Sequence, residues 1–205
     1  YEVQVRSKCN NDVPSAYSPS LFFTTEDVVL VYCDSQGETQ EDEYISRVEF
    51  ASIDHISTDE NGGYSDFTSI STPVIKGQDY PITITPFWTG QVFNEAYSVW
   101  IDFNQNGDFS DDGELVFTQI PTTNTAVSGA INIPLSALEG STRMRVSMKY
   151  NNIPNPCETF EYGEVEDYTV DILDQNLSTV DNVFGANFNL FPNPTYNGQF
   201  SIKTR

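Results

Sequence analysis

Residues 102–114 read Asp102-Phe103-Asn104-Gln105-Asn106-Gly107-Asp108-Phe109-Ser110-Asp111-Asp112-Gly113-Glu114. Asp102, Asn104, Asn106 and Asp108 stand at every second residue, and Gly107 sits where so short a loop must turn. An apolar run, 97–103, leads into the loop, and another, 115–120, leaves it. The stretch therefore reads as a polar turn between two strands. Its oxygen-bearing side chains have the spacing that lets one segment wrap Ca²⁺, which takes six to eight oxygens in irregular geometry. The expected ligands are Asp102, Asn104, Asn106 and Asp108, the last through its carbonyl, with Asp112 or Glu114 closing the shell. The loop departs from an EF-hand: its twelfth position is Gly113, and no helical period flanks it. An Asn/Asp/Gly-rich hairpin without metal is the alternative.

Outward from the loop, strand follows strand. Ile45, Val48, Phe50, Ile53 and Ile56 mark 44–56, and Ile82 and Ile84 alternate with Thr83 and Thr85 in 80–87. Residues 127–133, 142–150 and 164–172 complete the set, and Gly, Asn, Pro and Ser fill the gaps. One short helical turn is expected at 135–138. This pattern predicts an all-β fold, an antiparallel β-sandwich of jelly-roll type.

Composition narrows the function. The chain has 205 residues, 30 acidic against 9 basic, for a formal charge of −21. That charge repels nucleic acid and anionic lipid. The aromatics spread among the acids argue against a disordered tail, and no apolar run approaches the roughly 20 residues of a membrane span. His55 is the single histidine and no Cys-x-x-Cys occurs, so the usual zinc sites and His-dependent nucleophilic triads are excluded. Cys33 and Cys157 bracket the central body and read as a disulfide, with two buried thiols as the alternative. Cys9 is left over.

Within 164–172, Glu164, Glu166 and Tyr168 share one face, and Val165, Asp167 and Thr169 the other. Arg143, Arg145 and Lys149 share a face of the preceding strand. The expectation is a cross-strand ion pair joining Arg143 or Arg145 to Glu164 or Glu166. A glycosidase carboxylate pair is the competing reading of Glu164 and Glu166. Trp88, Phe93 and Tyr97 form an aromatic stretch that is the candidate ligand surface, with Trp88 the best placed for exposure and Trp100 expected in the core.

The string Gly163-Glu164-Val165-Glu166-Asp167-Tyr168-Thr169 resembles the signature of the GEVED domain, a non-catalytic module of large secreted proteins in the Bacteroidetes. Further strings fit the same pattern: Tyr32-Cys33, Gly63-Tyr64-Ser65-Asp66-Phe67-Thr68, Val99-Trp100-Ile101-Asp102-Phe103-Asn104, Thr142-Arg143-Met144-Arg145-Val146 and Cys157-Glu158. The expected domain spans 28–174. Before it, residues 1–25, with Tyr1-Glu2-Val3-Gln4-Val5 alternation and Phe22-Phe23-Thr24-Thr25, resemble the last hairpin of a fibronectin type III domain. Residues 175–187 read as a linker. Leu190-Phe191-Pro192-Asn193-Pro194, within 188–205, looks like the start of a type IX secretion C-terminal sorting domain, with a tight turn at Asn197-Gly198. Both flanking domains are expected to be incomplete.

The resemblance implies a secreted or cell-surface protein, exported across the outer membrane by the type IX translocon with its shuttle and attachment proteins, and a parent peptidase or glycoside hydrolase. The expected role is a non-catalytic accessory or adhesion module that binds an extracellular polysaccharide or protein. The alternative is a structural spacer whose only partner is the secretion machinery.

Overall fold

Alternating side chains can bury one face and wet the other only as strands, and in the computed structural model the described elements are all strands. The described residues are 2–4, 6, 15–22, 30–58, 62–174, 189–191 and 201–203. The chain divides into two compact units, Tyr1–Tyr32 and Cys33–Arg205. In the first, β1 (Glu2–Val3) pairs antiparallel with β2 (Leu21–Phe22), the expected hairpin. Cys9 lies outside the described residues.

In the second unit, one sheet has four strands in the order β10 (Val127–Asn132), β7 (Asp79–Trp88), β4 (Glu43–Phe50), β5 (Ile53–Ile56), all antiparallel. The other runs β3 (Gln36–Thr39), β12 (Thr159–Leu173), β11 (Gly140–Tyr150), β8 (Glu95–Ile101), β9 (Leu115–Thr122), with β6 (Tyr64–Ile75) also on β12. The two inner faces meet in a single apolar core. Ile45, Val48 and Ile84 come from the first sheet, and Val99, Met144 and Val146 from the second, all 0% exposed. Each such side chain contributes about 1.5–3 kcal/mol by leaving water. The fold is a β-sandwich.

Three features depart from the sequence expectation. The predicted strand 44–56 is two strands, turned at Ala51-Ser52, with a bulge between Ile45 and Arg47. The apolar spacing of three, from Ile45 to Val48 and from Phe50 to Ile53, is the trace of that bulge and that turn. Second, β12 pairs in parallel with both β3 and β6, so the sheets are antiparallel-rich rather than wholly antiparallel. β3 carries no apolar side chain, and the apolar residues of β6, among them Tyr64, Phe67, Ile70 and Val74, keep no two-residue spacing, which is why periodicity missed them. Third, residues 135–138 form a turn rather than a helical turn, closed by Ala137 N–H on the Pro134 carbonyl at 3.1 Å.

Farther along, β13 (Asn189–Phe191) pairs antiparallel with β14 (Ser201–Lys203). The linker 175–187, Pro192-Asn193-Pro194 and the Asn197-Gly198 turn lie outside the described residues.

Candidate functional site

The acidic signature sits on β12, an interior strand of its sheet, and all four of Glu164, Val165, Glu166 and Asp167 are 0% exposed. Gly163, which opens it, has φ +120°, a conformation only glycine adopts freely. Its Cα also faces backbone: an added Cβ would strike the Met148 carbonyl, one on Gly37 the Gly163 carbonyl, and one on Gly63 the Gly37 carbonyl. Three glycines thus let neighbouring backbones close on one another.

Each carboxylate is then committed inward. Glu164 accepts the Ile45 N–H of the opposite sheet at 2.9 Å and the Ser65 hydroxyl of β6 at 2.8 Å. Glu166 lies 2.7 Å from the Ser57 hydroxyl and accepts the Tyr168 hydroxyl at 2.9 Å. Ser57 has one hydrogen to give, and the Ile45 carbonyl lies 2.5 Å away to take it. The proton between Ser57 and Glu166 then belongs to Glu166. Burial, with the Glu164 charge beside it, raises the Glu166 pKa in agreement. His55 Nδ1 stands 3.0 Å from the Tyr168 hydroxyl, and burial lowers its pKa, so the neutral ring donates there. A one-way chain results: His55 to Tyr168, Tyr168 to Glu166, Glu166 to Ser57, Ser57 to the Ile45 carbonyl. It ties the two sheets together, and it leaves Glu164 and Glu166 out of a substrate's reach.

The expected ion pair of Arg143 or Arg145 with Glu164 or Glu166 is not formed. Arg145 is instead bidentate to Asp167, Nε–Oδ1 and Nη2–Oδ2 both at 2.8 Å, and Arg143 Nη1 reaches Asp167 Oδ2 at 3.3 Å. The reason is register parity. In the antiparallel β11–β12 pair Arg145 stands opposite Asp167 and Val146 opposite Glu166, and directly opposed residues share a face. Arg145, 1% exposed, also donates Nη1 to the Cys33 carbonyl at 2.9 Å and the Pro156 carbonyl at 2.6 Å, and lies 5.1 Å from the centroid of the Phe109 ring. Those carbonyls flank the Cys33–Cys157 disulfide, which is formed as expected.

The acidic loop is folded largely upon its own amides. Asp102, 0% exposed, accepts the Asn106 N–H at 3.2 Å and the Gly107 N–H at 2.9 Å. Asn104 and Asn106 accept the amides two residues on, at 3.1 and 2.8 Å, and both side-chain amides donate to Asp111 at 2.8 and 2.7 Å. Asp108 accepts the Ser110 N–H at 2.7 Å, and the Ser110 hydroxyl first, then this amide, lower its pKa. Gly107, at φ +84°, makes the turn the spacing required. Asp112 is exposed. Glu114 is 2% exposed: Oε1 accepts the Phe103 and Asn104 N–H groups at 3.0 and 3.4 Å, while Oε2 is buried with no partner. Burial first, then the charges of Asp102 and Asp111, push its pKa up to about 7. A buried oxygen of that kind calls for a proton or a cation. Among the described residues, no three His, Cys, Asp or Glu side chains gather in a metal-holding group. Ligation here would draw on the Asn oxygens and loop carbonyls as well. Asp111, which takes both asparagine amides, was missed because it falls off the every-second-residue spacing.

Of the candidate ligand aromatics, Tyr97 is 0% exposed and belongs to the core, because it alternates with Val99 on the inward face of β8. Trp88 is half-buried, and its indole N–H faces Glu95 without reaching hydrogen-bonding geometry. Trp100 is buried, as expected. Phe93 alone opens on a cavity, in company that the sequence did not single out: Asp42, Glu43, Tyr150 and Tyr162.

No curated protein matches the chain. Residues 96–171, from β8 through nearly all of β12, match the family model of the GEVED domain. This central stretch is similar to GEVED domains, and the string that resembles their signature lies on the strand whose two glutamates bind the two sheets together.

Proposed function

We propose that the β-sandwich is a non-catalytic accessory or adhesion module of a large secreted or cell-surface protein, a peptidase or glycoside hydrolase exported by the type IX secretion system. In this reading residues 1–25 end a fibronectin type III domain and 188–205 open the sorting domain that the translocon and its shuttle and attachment proteins recognise. The observation that carries it is the fate of the acidic signature. Glu164 and Glu166, the candidate acid and nucleophile, are fully buried and bonded within the sandwich, so the acidic signature reads as framework. The disulfide and the GEVED match fit an extracellular setting.

Ca²⁺ belongs to the same reading. The loop would hold it through Asp102, Asn104, Asn106, an Asp108 carbonyl and Glu114, whose partnerless buried oxygen supports the assignment; exposed Asp112 is the weaker candidate. The ion's part would be to staple the β8–β9 turn, with no chemistry attached. A ligand that binds only the folded state at 100 times its Kd adds about 2.7 kcal/mol to stability.

The test is retention of the purified chain on insoluble polysaccharides and on immobilised extracellular protein such as collagen, with product release followed in parallel. Saturable retention without cleavage is expected. Cleavage by the chain alone overturns the reading, and failure of every matrix favours the spacer.

A further inference from the structure

At one end of the sandwich, Asp42, Glu43, Phe93, Tyr150 and Tyr162 line a cavity of about 240 Å³. Four segments converge to build it: the start of β4, the loop before β8, the end of β11 and the first part of β12. The rings meet edge to face in series, Phe93 on Tyr150 at 5.8 Å and 85°, Tyr150 on Tyr162 at 6.1 Å and 89°. Such rings form the corner of a box rather than a flat platform for a sugar. The Glu43 carboxylate, on a residue 2% exposed, makes no hydrogen bond or ion pair among the described residues, and Asp42 stands exposed beside it. Within electrostatic reach of Glu43 is Glu95, 0% exposed, both of its oxygens buried without a partner.

Among the described residues no lining side chain carries a positive charge. Lys149, next to Tyr150 in the chain, is taken by both Glu158 oxygens at 2.9 Å. The cavity is therefore an aromatic corner with uncompensated carboxylates. Each aromatic face is worth about 0.5–1 kcal/mol to a cation when exposed and about 2 or more when desolvated. The volume lies below the ~300–1,000 Å³ of drug-sized sites and suits one slender side chain.

We propose that this pocket binds the ammonium or guanidinium group of a Lys or Arg side chain presented by an extracellular polypeptide. The proposal rests on the binding half of the accessory-module reading and names the chemistry of the partner. Burial raises both Glu43 and Glu95 to about 7, with Asp42 adding to the first and Glu43 to the second. A cation favours the ionised form, so its affinity rises as pH climbs through that value. The groups facing Glu43 are Asp42, Glu95 and Tyr162, and the adjacent Glu161 is the largest influence raising the Tyr162 pKa.

The test is a titration of the full chain, followed by the NMR resonances of Phe93, Tyr150 and Tyr162, with Nα-acetyl-lysine amide and Nα-acetyl-arginine amide. The neutral isostere Nα-acetyl-citrulline amide and glucosamine serve as comparison arms. Saturable shifts are expected with both cationic amides. Binding should weaken at least tenfold for citrulline amide, for Glu43→Gln and for Tyr162→Ala. Glu43→Gln is isosteric and keeps the proposal testable should Tyr162→Ala fail to fold. Equal binding of citrulline amide overturns the proposal, as does a folded Glu43→Gln chain that binds undiminished or a preference for glucosamine. A matrix that retains the chain regardless of saturating lysine amide overturns this inference and leaves the accessory-module reading standing.

Discussion

Removing the charge of Asp167 should be among the most damaging single changes on β12. Asp167→Asn keeps the shape but takes away the bidentate partner of Arg145, a residue 1% exposed. The guanidinium would keep the Cys33 and Pro156 carbonyls and the Phe109 ring, which are dipoles and a quadrupole, and no full charge. Breaking a buried pair from one side costs about 3–5 kcal/mol, a large share of the roughly 5–15 kcal/mol that a domain has in total. For a unit of this size the loss lowers Tm by roughly 6–20 °C. Arg145→Met removes the cation as well. In that single variant Asp167 retains the Tyr64 hydroxyl at 3.1 Å and Arg143 at 3.3 Å, and in the double variant no Arg145 charge is left buried without its partner, so the double should lose less than the sum of the singles. Glu166→Gln is the internal control. Its carboxyl already holds a proton in the chain that runs to the Ile45 carbonyl, so an amide of equal size should cost under about 1 kcal/mol. Urea unfolding at pH 7 measures all four. An Asp167→Asn loss below about 1 kcal/mol, or a Glu166→Gln loss of equal size, would refute the assignment of roles.

Gly163→Ala should cost about 2–4 kcal/mol, because its Cβ strikes the Met148 carbonyl while φ stays at +120°; a melt of the variant decides it. Reducing Cys33–Cys157 should cost about 2–5 kcal/mol, since the bond closes a separation of 124 residues and its flanking carbonyls hold Arg145; paired melts with and without reductant measure it. Stability should fall as pH rises from about 5 to about 7. Glu43, Glu95 and Glu114 are raised to about 7 from an ordinary 4.5, so the folded chain holds protons in that window that the unfolded chain releases. Each group removes at most about 1.4 kcal/mol per pH unit, and a pH series that stays flat or rises would contradict this. Ca²⁺ should raise Tm and flatten that slope, whereas Glu114→Gln should raise the Tm of the chelated chain at pH 8 and abolish the calcium response.

The strands with mostly apolar residues at every second position, 80–87, 127–133 and 142–150, were legible because one face of each meets the core. β3 and β6 were not legible. Of their buried positions only Val74 is apolar; Gly37, Ser65 and Thr72 are buried through close backbone contact and hydrogen bonds, Ser65 donating to Glu164 and Thr72 lying 2.7 Å from Ser52. The same limit hid the cation pocket, whose five residues come from four separate segments with no shared spacing. The Asp102 loop was legible in its turn but not in its closure, because an every-second-residue rule finds Asn104 and Asn106 and passes over Asp111. What holds the acidic signature could have been found earlier. Arg143 and Arg145 lie on one face of a strand and Asp167 on one face of the next, and an antiparallel pair lets only one parity meet. The single connection fixes which strands pair, and the choice between Glu166 and Asp167 then turns on one residue of register.

That one-residue choice also explains how a chain with a formal charge of −21 can bury a run of carboxyl groups. The three carboxylates of the signature are not held alike. Asp167 faces the guanidinium and can be ionised in the interior because a full opposite charge meets both its oxygens. Glu164 meets an amide N–H and a hydroxyl, and Glu166 meets hydroxyls and takes up a proton. A slip of one residue between β11 and β12 would leave Arg145 among the core methionines and Asp167 without a cation. Two buried charges would then be unpaired at once, at several kcal/mol each. The alternation of Glu, Val, Glu and Asp on β12 is thus a register lock. Apolar periodicity says only that a strand is present, and the charges say which strand it faces and where.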